Sequence, residues 1–195
     1  MIDGIRAQIE ESVAVKQRLL VGDLPEMLAR LVAETITAIR RGNRVFFAGN
    51  GGSATDAMHL AAELVVRFRL NRAPLAALAL GANQANLTAT GNDFDFSQVF
   101  VRELRALARP GDLLLALSTS GNSPNIVACV EEAPRLGVTV FALTGETGGR
   151  LVSLCPCLRV PSMITARIQE SHIMLGHIFC DLVETACALP DEARR

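Results

Sequence analysis

The run Leu113-Leu114-Leu115-Ala116-Leu117 is apolar at every position and lacks the alternation of a strand with one face in water. Such a run is typical of a strand covered on both faces, as in a parallel sheet. Similar short runs alternate with helical segments along the chain, which predicts a doubly wound, three-layer α/β sandwich. The expected strands are 44–48, 75–79, 112–117, 138–143 and 157–160, and the expected helices are 53–66, 84–91, 97–108, 123–135, 147–153 and 166–187.

Two amphipathic helices are expected before the first strand. Residues from 2 to about 20 place Ile5, Ile9 and Val13 at four-residue steps, and residues from 24 to about 41 repeat this helical spacing. An α/β core of this size cannot cover both helices. We therefore expect at least one of them to pack on another subunit.

Size and charge restrict the classes of protein to consider. With 195 residues, half of them apolar, we expect one domain over 1–195, made of N-terminal helices 1–41 for oligomer packing and an α/β core 42–190. A net charge of −1 does not indicate a basic surface that would bind nucleic acid or an anionic membrane. The nearest approach to a basic cluster, Arg67, Arg69 and Arg72, is expected to be a solvated helix end.

The location of the protein is expected to be cytoplasmic. The five cysteines show no disulfide framework, which favours free thiols in a reducing compartment. No stretch reaches the length of an apolar membrane span, and the N-terminus has no apolar signal region. We therefore expect neither membrane nor nucleic acid among the partners.

The first candidate ligand loop joins the strand around Phe46 to an alanine-rich helix through Gly49-Asn50-Gly51-Gly52-Ser53. A strand, a glycine turn and a helix in this order direct backbone N–H groups at an anion or a polar sugar. The helix carries His59 and Glu63 four residues apart, on one face. This pair suits either a metal ion or proton transfer, although single histidines are more often structural.

The second candidate loop, Ser118-Thr119-Ser120-Gly121-Asn122-Ser123-Pro124, follows the apolar run. Ser123 is suited to be the N-cap of the next helix, with Pro124 at its first position. A phosphate bound there would meet hydroxyl groups, free N–H groups and the positive end of the helix dipole. The alternative is an ordinary capped turn. Neither loop matches a nucleotide-binding fingerprint.

With both loops identified, the chain resembles the sugar-isomerase (SIS) domain family, and within it the isomerases of seven-carbon sugar phosphates. The resemblance implies a flavodoxin-like sheet of five parallel strands and a homotetramer with active sites at subunit interfaces. The matching blocks are Gly49–Ala54, His59–Glu63, Thr88–Asp93, Gln98–Phe100, Gly111-Asp112, Ser118–Ser123, Val160–Ser162, Arg167–Glu170, His172 and Gly176-His177.

The resemblance also implies a reaction and roles for residues. D-sedoheptulose 7-phosphate and D-glycero-D-manno-heptose 7-phosphate would interconvert through an enediol, the first step of activated heptose biosynthesis. A proton moves between C1 and C2, which needs a base at carbon and an acid near the oxygens. By resemblance, Glu63 is the base and His177 the acid. The implied phosphate ligands are Ser118, Thr119, Ser120 and Ser123, and the other implied substrate contacts are Asn50, Gly51, Gly52, Ser53, Asn92, Asp93 and Gln169.

Some members of the family are similar in holding one zinc ion per subunit, on residues that match His59, Glu63, Gln169 and His177. Gln169 and His177 are eight residues apart, about 12 Å on one continuous helix. One chain could supply both only if the helix begins after Gln169; otherwise the ion draws on two subunits. Glu63 cannot easily be both an anchored ligand and a free base, so these two roles compete.

The chain also departs from the family pattern. Ile164 stands where an acidic residue is usual, Met58 where glutamine is frequent, and residues 80–85 replace a segment that commonly bears Thr and Asp. Asn92-Asp93 could be a plain turn, and His172 a core or interface residue. The alternative functions are a non-catalytic SIS module, such as a sugar-phosphate-binding protein or a replication-initiation adaptor, and an isomerase of another ketose phosphate. Retention of the His59/Glu63 pair favours an enzyme.

Overall fold

A computed structural model describes residues 1–188 and contains one sheet of five parallel strands in the order β2-β1-β3-β4-β5. Because apolar residues fill both faces of the central strands, helices must cover the sheet on both sides. The flavodoxin-like sheet is therefore confirmed. The strands are β1 (Val45–Gly49), β2 (Ala77–Ala79), β3 (Leu113–Ser118), β4 (Thr139–Thr144) and β5 (Cys157–Arg159).

Within residues 1–188, seven α-helices and the sheet form three layers around two apolar cores. One core lies between the sheet and α1, α2, α3 and α7, and includes Phe47, Leu60 and Phe179. The other lies under α5 and α6 and includes Phe46 and Ile126. The helices are α1 (Ile2–Arg18), α2 (Leu24–Arg40), α3 (Gly52–Val65), α4 (Gln84–Asp93), α5 (Val99–Leu107), α6 (Pro124–Glu132) and α7 (Thr165–Ala188).

The strand order reverses direction beside β1, which pairs with β2 on one side and with β3 on the other. In register, Gly49 at the end of β1 lies beside Leu117 of β3. Ligands of open α/β sheets bind at such a reversal, outside the carboxyl ends of the strands. The glycine loop after β1 and the serine-rich loop after β3 both leave the sheet there.

The bounds of several elements differ from the expected ones, most clearly at one helix and one strand. The helix expected over 147–153 is only a 3-10 turn, Gly149–Ser153, because Gly148 and Gly149 adopt φ of +70° and +52° at its start. The strand expected over 75–79 begins at Ala77, since the Leu75 N–H donates to the Leu64 carbonyl at the end of α3. Residues 189–190 of the expected core lie outside the described part of the chain.

The N-terminal helix α1 buries little of its apolar stripe within the chain. Ile5 and Ile9 are 54% and 58% exposed, whereas Val15 and Leu19 near its end are buried. Its polar side is fixed to α7, where Arg167 donates to the Gln8 carbonyl at 2.7 Å. The α1 stripe is thus available to another surface. Among the helices of residues 1–188, none is both long and apolar enough to cross a membrane.

Candidate active site

The glycine loop depends on the absence of side chains at three positions. A β-carbon at Gly49 would lie 2.3 Å from the Ser53 carbonyl oxygen, and Gly51 adopts a φ of +55°. At Gly52, a β-carbon would lie 2.7 Å from Nε2 of Gln169. A larger residue at Gly49 or Gly51 would displace the loop, and a larger residue at Gly52 would displace Gln169. The first turn of α3 therefore lies against Gln169, near the start of α7.

Further along, α3 and α7 bring an imidazole–carboxylate group together. Gly176 permits the approach, since a β-carbon there would lie 2.6 Å from Cδ2 of Leu60. The Nε2 atoms of His59 and His177 are consequently 2.9 Å apart, and His59 Nε2 lies 3.2 Å from Glu63 Oε1. The Glu63 side chain is 20% exposed, and that of His59 46%. This group can exchange protons with a ligand bound at the surface of the two helices.

Asp56, one turn before His59 on α3, adds a carboxylate that sequence reasoning missed. Burial raises its pKa, and the charges of His59 and His177 oppose that rise. Its spacing of three residues from His59 puts it on the same helix face and is the signal that could have identified it.

The donor atoms of this group are of the kinds that zinc binds, namely imidazole nitrogen and carboxylate oxygen. Within one chain, however, Gln169 does not join them. It lies against Gly52, eight residues before His177 on the unbroken helix α7, or about 12 Å along the axis. Among residues 1–188, no three or more His, Cys, Asp or Glu side chains are arranged as a metal site. The chemistry of His59, Glu63 and His177 fits zinc, but the four-residue set does not converge in one chain.

The serine-rich loop has one buried hydroxyl group, that of Ser118, and an exposed one, that of Ser120. Ser118 is buried at the end of β3, and its Oγ is 3.3 Å from Oγ of Ser123. Ser123 occupies the expected N-cap position of α6, but its side chain makes no capping hydrogen bond. Ser120 Oγ accepts from the Asn122 N–H at 3.1 Å. The loop thus presents hydroxyl groups next to the positive end of α6.

A polar cavity of about 210 Å³ lies between this loop and the start of α7. Thr119 and Ser120 line it as expected, whereas Thr165 and Ser162 were missed by sequence reasoning. Ser162 ends the Val160–Ser162 block and Thr165 follows it, so this block could have indicated both. Ile164 between them is half-exposed, and its N–H donates to Ser162 Oγ at 3.1 Å. The remaining lining residues are Asn122, Gly145, Glu146, Thr147, Met163 and Ile168.

The two loops are joined by a reciprocal pair of amides. Asn50 Nδ2 donates to Asn125 Oδ1, and Asn125 Nδ2 donates to Asn50 Oδ1, both at 2.8 Å. Asn125 Oδ1 also accepts from the Ile126 N–H at 3.0 Å. The Asn50 side chain, expected to contact sugar, is therefore occupied in holding the glycine loop to α6. Asn125 was missed, because nothing in the sequence links it to a residue 75 positions earlier.

Asn92 and Asp93 form a separate group at the end of α4. The Asn92 side chain donates to Asp93 Oδ1 at 2.8 Å. Asp93 lines a cavity of about 350 Å³ with Phe94, Arg102 and Glu103, and none of the other expected site residues lines it. Their role in binding sugar stays a prediction.

Two expectations near the site are resolved by burial. His172 is fully buried in α7, with Nε2 3.2 Å from the Thr144 carbonyl oxygen, and burial lowers its pKa to about 4. It is a core histidine. The expectation that Arg72 belongs to a solvated helix end is wrong, since its side chain is 4% exposed and pairs with buried Glu184 at 3.1 Å.

Comparison with known proteins adds a second line of observation. A model of the SIS domain family matches residues 10–145. A phosphoheptose isomerase of Rhodospirillum rubrum is 47% identical over 187 residues, which cover 95% of this chain and 98% of that protein. The solved phosphoheptose isomerase of Francisella tularensis superposes with a TM-score of 0.90 at 37% identity, over 94% of this chain and 98% of that chain. That of Neisseria gonorrhoeae gives 0.88 at 38% identity, over the same shares of the two chains.

Proposed function

The chain belongs to the phosphoheptose isomerases of the SIS domain family, and we propose that it interconverts D-sedoheptulose 7-phosphate and D-glycero-D-manno-heptose 7-phosphate. One observation carries this proposal. A carboxylate and two imidazoles, of Glu63, His59 and His177, lie within hydrogen-bond reach of one another on two packed helices. A binding module needs no such group, whereas an aldose–ketose isomerase requires it.

The chemistry divides between the carboxylate and the imidazoles. Glu63 takes the proton from C1 of the ketose and returns it at C2. His177 donates a proton to the C2 oxygen as the enediol forms and takes back the proton of the C1 hydroxyl as the aldehyde forms, so that charge does not accumulate on the enediol. His59 holds both groups, since its Nε2 lies 3.2 Å from Glu63 Oε1 and 2.9 Å from His177 Nε2.

The phosphate binds in the serine-rich loop. The hydroxyl groups of Ser118, Thr119, Ser120 and Ser123 and the N-terminus of α6 offer donors without a cationic side chain in the loop. Ser123 supports this role most directly, because its Oγ makes no capping bond with α6. Gly51, Gly52 and Ser53 leave backbone groups at the same edge of the sheet for the sugar, with Gln169 beside them.

The dimensions of the substrate support sites shared between subunits of a homotetramer. Thr165 lines the polar cavity beside the serine-rich loop, where the phosphate would bind. His177 lies twelve residues later on the same helix, about 18 Å along the axis. From C1 to the phosphorus of a heptose 7-phosphate there are eight bonds of about 1.5 Å, so the span is at most about 12 Å. The substrate therefore binds with its phosphate in the serine-rich loop of one subunit and its C1 end beside His177 of another.

A site shared between subunits would also let one zinc ion per site reach Gln169, which does not converge with the other three expected ligands in one chain. His59, Glu63 and His177 of one subunit would hold it, with Gln169 from a second subunit, and for Glu63 this role competes with that of free base. The ion would polarise the substrate carbonyl as a Lewis acid.

We also propose that the enzyme works in the cytoplasm, where sugar phosphates are metabolised. All five cysteines are free thiols, which a reducing compartment preserves.

The test is the isomerisation of sedoheptulose 7-phosphate by wild type and Glu63→Gln. The substitution removes the base and keeps the shape, so we expect kcat to fall by about 10²- to 10⁴-fold while phosphate affinity remains. Glu131→Gln is the matched control, because Glu131 is an exposed carboxylate on α6 that pairs with Arg150 at 3.0 Å. It should retain wild-type kcat.

Product is followed as aldose heptose 7-phosphate, and binding of the ketose is measured on the same preparations. Each protein is assayed as purified, after a chelator and after added Zn²⁺. Wild-type protein that binds sedoheptulose 7-phosphate but forms no aldose, with or without zinc, would make the chain a non-catalytic binding module.

A further inference from the structure

The carboxylate of Glu184 is fully buried on α7, seven residues after His177, and holds a segment of chain that sequence reasoning did not connect with it. It accepts from the N–H groups of Phe68 at 2.8 Å, Arg69 at 2.6 Å and Leu70 at 2.9 Å. The Arg72 guanidinium lies 3.1 Å from it and is also buried. One carboxylate thus fixes residues 68–72, between α3 and β2, to α7.

Glu184 is ionised in this position. Burial alone raises its pKa, but the N–H groups of Arg69, Leu70 and Phe68 and the charge of Arg72 together hold the pKa below its usual value. Hydrogen bonds to a charged acceptor are stronger than neutral ones, and a buried charge that loses its partner strongly destabilises its surroundings. Breaking this attachment is therefore costly.

Both ends of this attachment reach the proposed proton-transfer group. The ring of Phe68 packs on the imidazole of His177, with centroids 5.7 Å apart and a tilt of 32°. Arg72 Nη2 donates to the Glu63 carbonyl at 2.9 Å, in the last turn of α3. Glu184 thus acts on His177 through Phe68 and on Glu63 through Arg72.

We propose that Glu184 is a positioning residue for isomerisation, which sets the geometry of His177 against Glu63 through Phe68 and Arg72. This inference rests on the proposed function. A displacement of about 1 Å at a reacting group can cost about 100-fold in rate. The serine-rich loop, which follows β3, takes no part in the Glu184 contacts. Loss of the Glu184 carboxylate should therefore lower kcat and leave KM unchanged.

The experiment compares Glu184→Gln with Asp112→Asn. Asp112 is likewise a buried carboxylate that accepts from two backbone N–H groups, of Arg44 at 2.9 Å and Arg109 at 2.8 Å. It lies at the start of β3, at the opposite edge of the sheet from the proposed site. Both variants should melt at lower temperature than wild type. At a temperature where both are folded, only Glu184→Gln should lose kcat, by about 10- to 100-fold, with KM within about twofold of wild type.

Phe68→Leu is the second variant, in case Glu184→Gln does not fold. It keeps an apolar side chain and the N–H bond to Glu184, and should lower kcat without a change in KM. The inference is overturned if Phe68→Leu or folded Glu184→Gln turns over at the wild-type rate. It is also overturned if Asp112→Asn loses kcat equally, since the effect would then be general destabilisation.

An independent readout needs no turnover. The chain has only three histidines, so the imidazole resonances of His177 can be assigned by NMR. They should shift in Glu184→Gln and stay in place in Asp112→Asn; unmoved resonances in Glu184→Gln would overturn the inference. An inactive wild type would instead refute the proposed function, and this NMR comparison would still decide on Glu184.

Discussion

The three histidines of the chain lie in two kinds of environment, although all of them belong to helices. His59 and His177 face each other across α3 and α7, with their Nε2 atoms 2.9 Å apart. His172, five residues before His177, turns into the core and meets the Thr144 carbonyl. At the residue scale, the two histidines of α7 therefore lie on different faces of the helix, one in the core and one in the proposed proton-transfer group.

Burial of His172 predicts a specific loss of stability in acid. Its pKa falls from 6.5 to about 4 on folding. Between these pH values His172 is therefore protonated in the unfolded chain and neutral in the folded chain. Stability should fall from pH 6.5 down to about 4, by about 2 kcal/mol between pH 7 and pH 5.

Urea unfolding at pH 7 and pH 5 measures this loss. His172→Gln keeps a donor for the Thr144 carbonyl but cannot titrate, so its stability should change by about 2 kcal/mol less than that of wild type between these pH values. Equal losses in both proteins would contradict a buried neutral imidazole.

Residue-scale expectations succeeded where spacing along one element decides contact. The four-residue step from His59 to Glu63 predicts their proximity, and the structure has them 3.2 Å apart. The pairing of Arg72 with Glu184 joins residues 112 positions apart, and no local pattern reveals it. Arg72 was expected in solvent because a guanidinium is normally found there unless a distant carboxylate is buried with it.

At the scale of elements, the two ligand loops are held in different ways. The glycine loop after β1 depends on close backbone approach, and the serine-rich loop after β3 on hydroxyl groups and α6. The amides of Asn50 and Asn125 join them. Strand and helix positions followed from apolar runs and periodicity, whereas the shortened 3-10 turn at Gly149–Ser153 required the glycine dihedral angles.

Ser123→Ala tests whether the serine-rich loop is built for a ligand. Its Oγ makes no capping bond, so the usual loss of about 1 kcal/mol for an N-cap substitution should be absent. Loss of one hydrogen bond to a charged phosphate should raise KM by about tenfold.

Asn83→Ala is the opposite control, because the Asn83 side chain does cap α4 by accepting from the Ala85 N–H at 3.0 Å. It should melt at lower temperature and keep its KM. If Ser123→Ala instead loses stability and keeps its KM, the serine-rich loop is only a helix cap.

At the scale of the whole molecule, α7 determines how the site can be assembled. It begins at Thr165 beside the polar cavity of about 210 Å³ and runs unbroken past His177. The sequence left open whether this helix begins after Gln169, and an answer needed the structure. Ile5 and Ile9 of α1 are exposed, so apolar surface is available for contact between copies.

Mixing two inactive variants tests whether the protein is an isomerase whose sites combine two subunits. Glu63→Gln removes the base, and Ser123→Asp repels the phosphate while aspartate still suits the N-cap of α6. The two chains are co-expressed with different tags, and mixed oligomers are isolated through both tags. If each site takes its base from one subunit and its serine-rich loop from another, some sites of a mixed oligomer carry both substitutions and others carry neither.

Mixed oligomers should regain a measurable part of the wild-type rate on sedoheptulose 7-phosphate, whereas each parent variant alone stays nearly inactive. If every site belonged to one chain, each site would keep one of the two substitutions and stay inactive. Verified mixed oligomers without recovered activity would show that the sites are not shared between subunits.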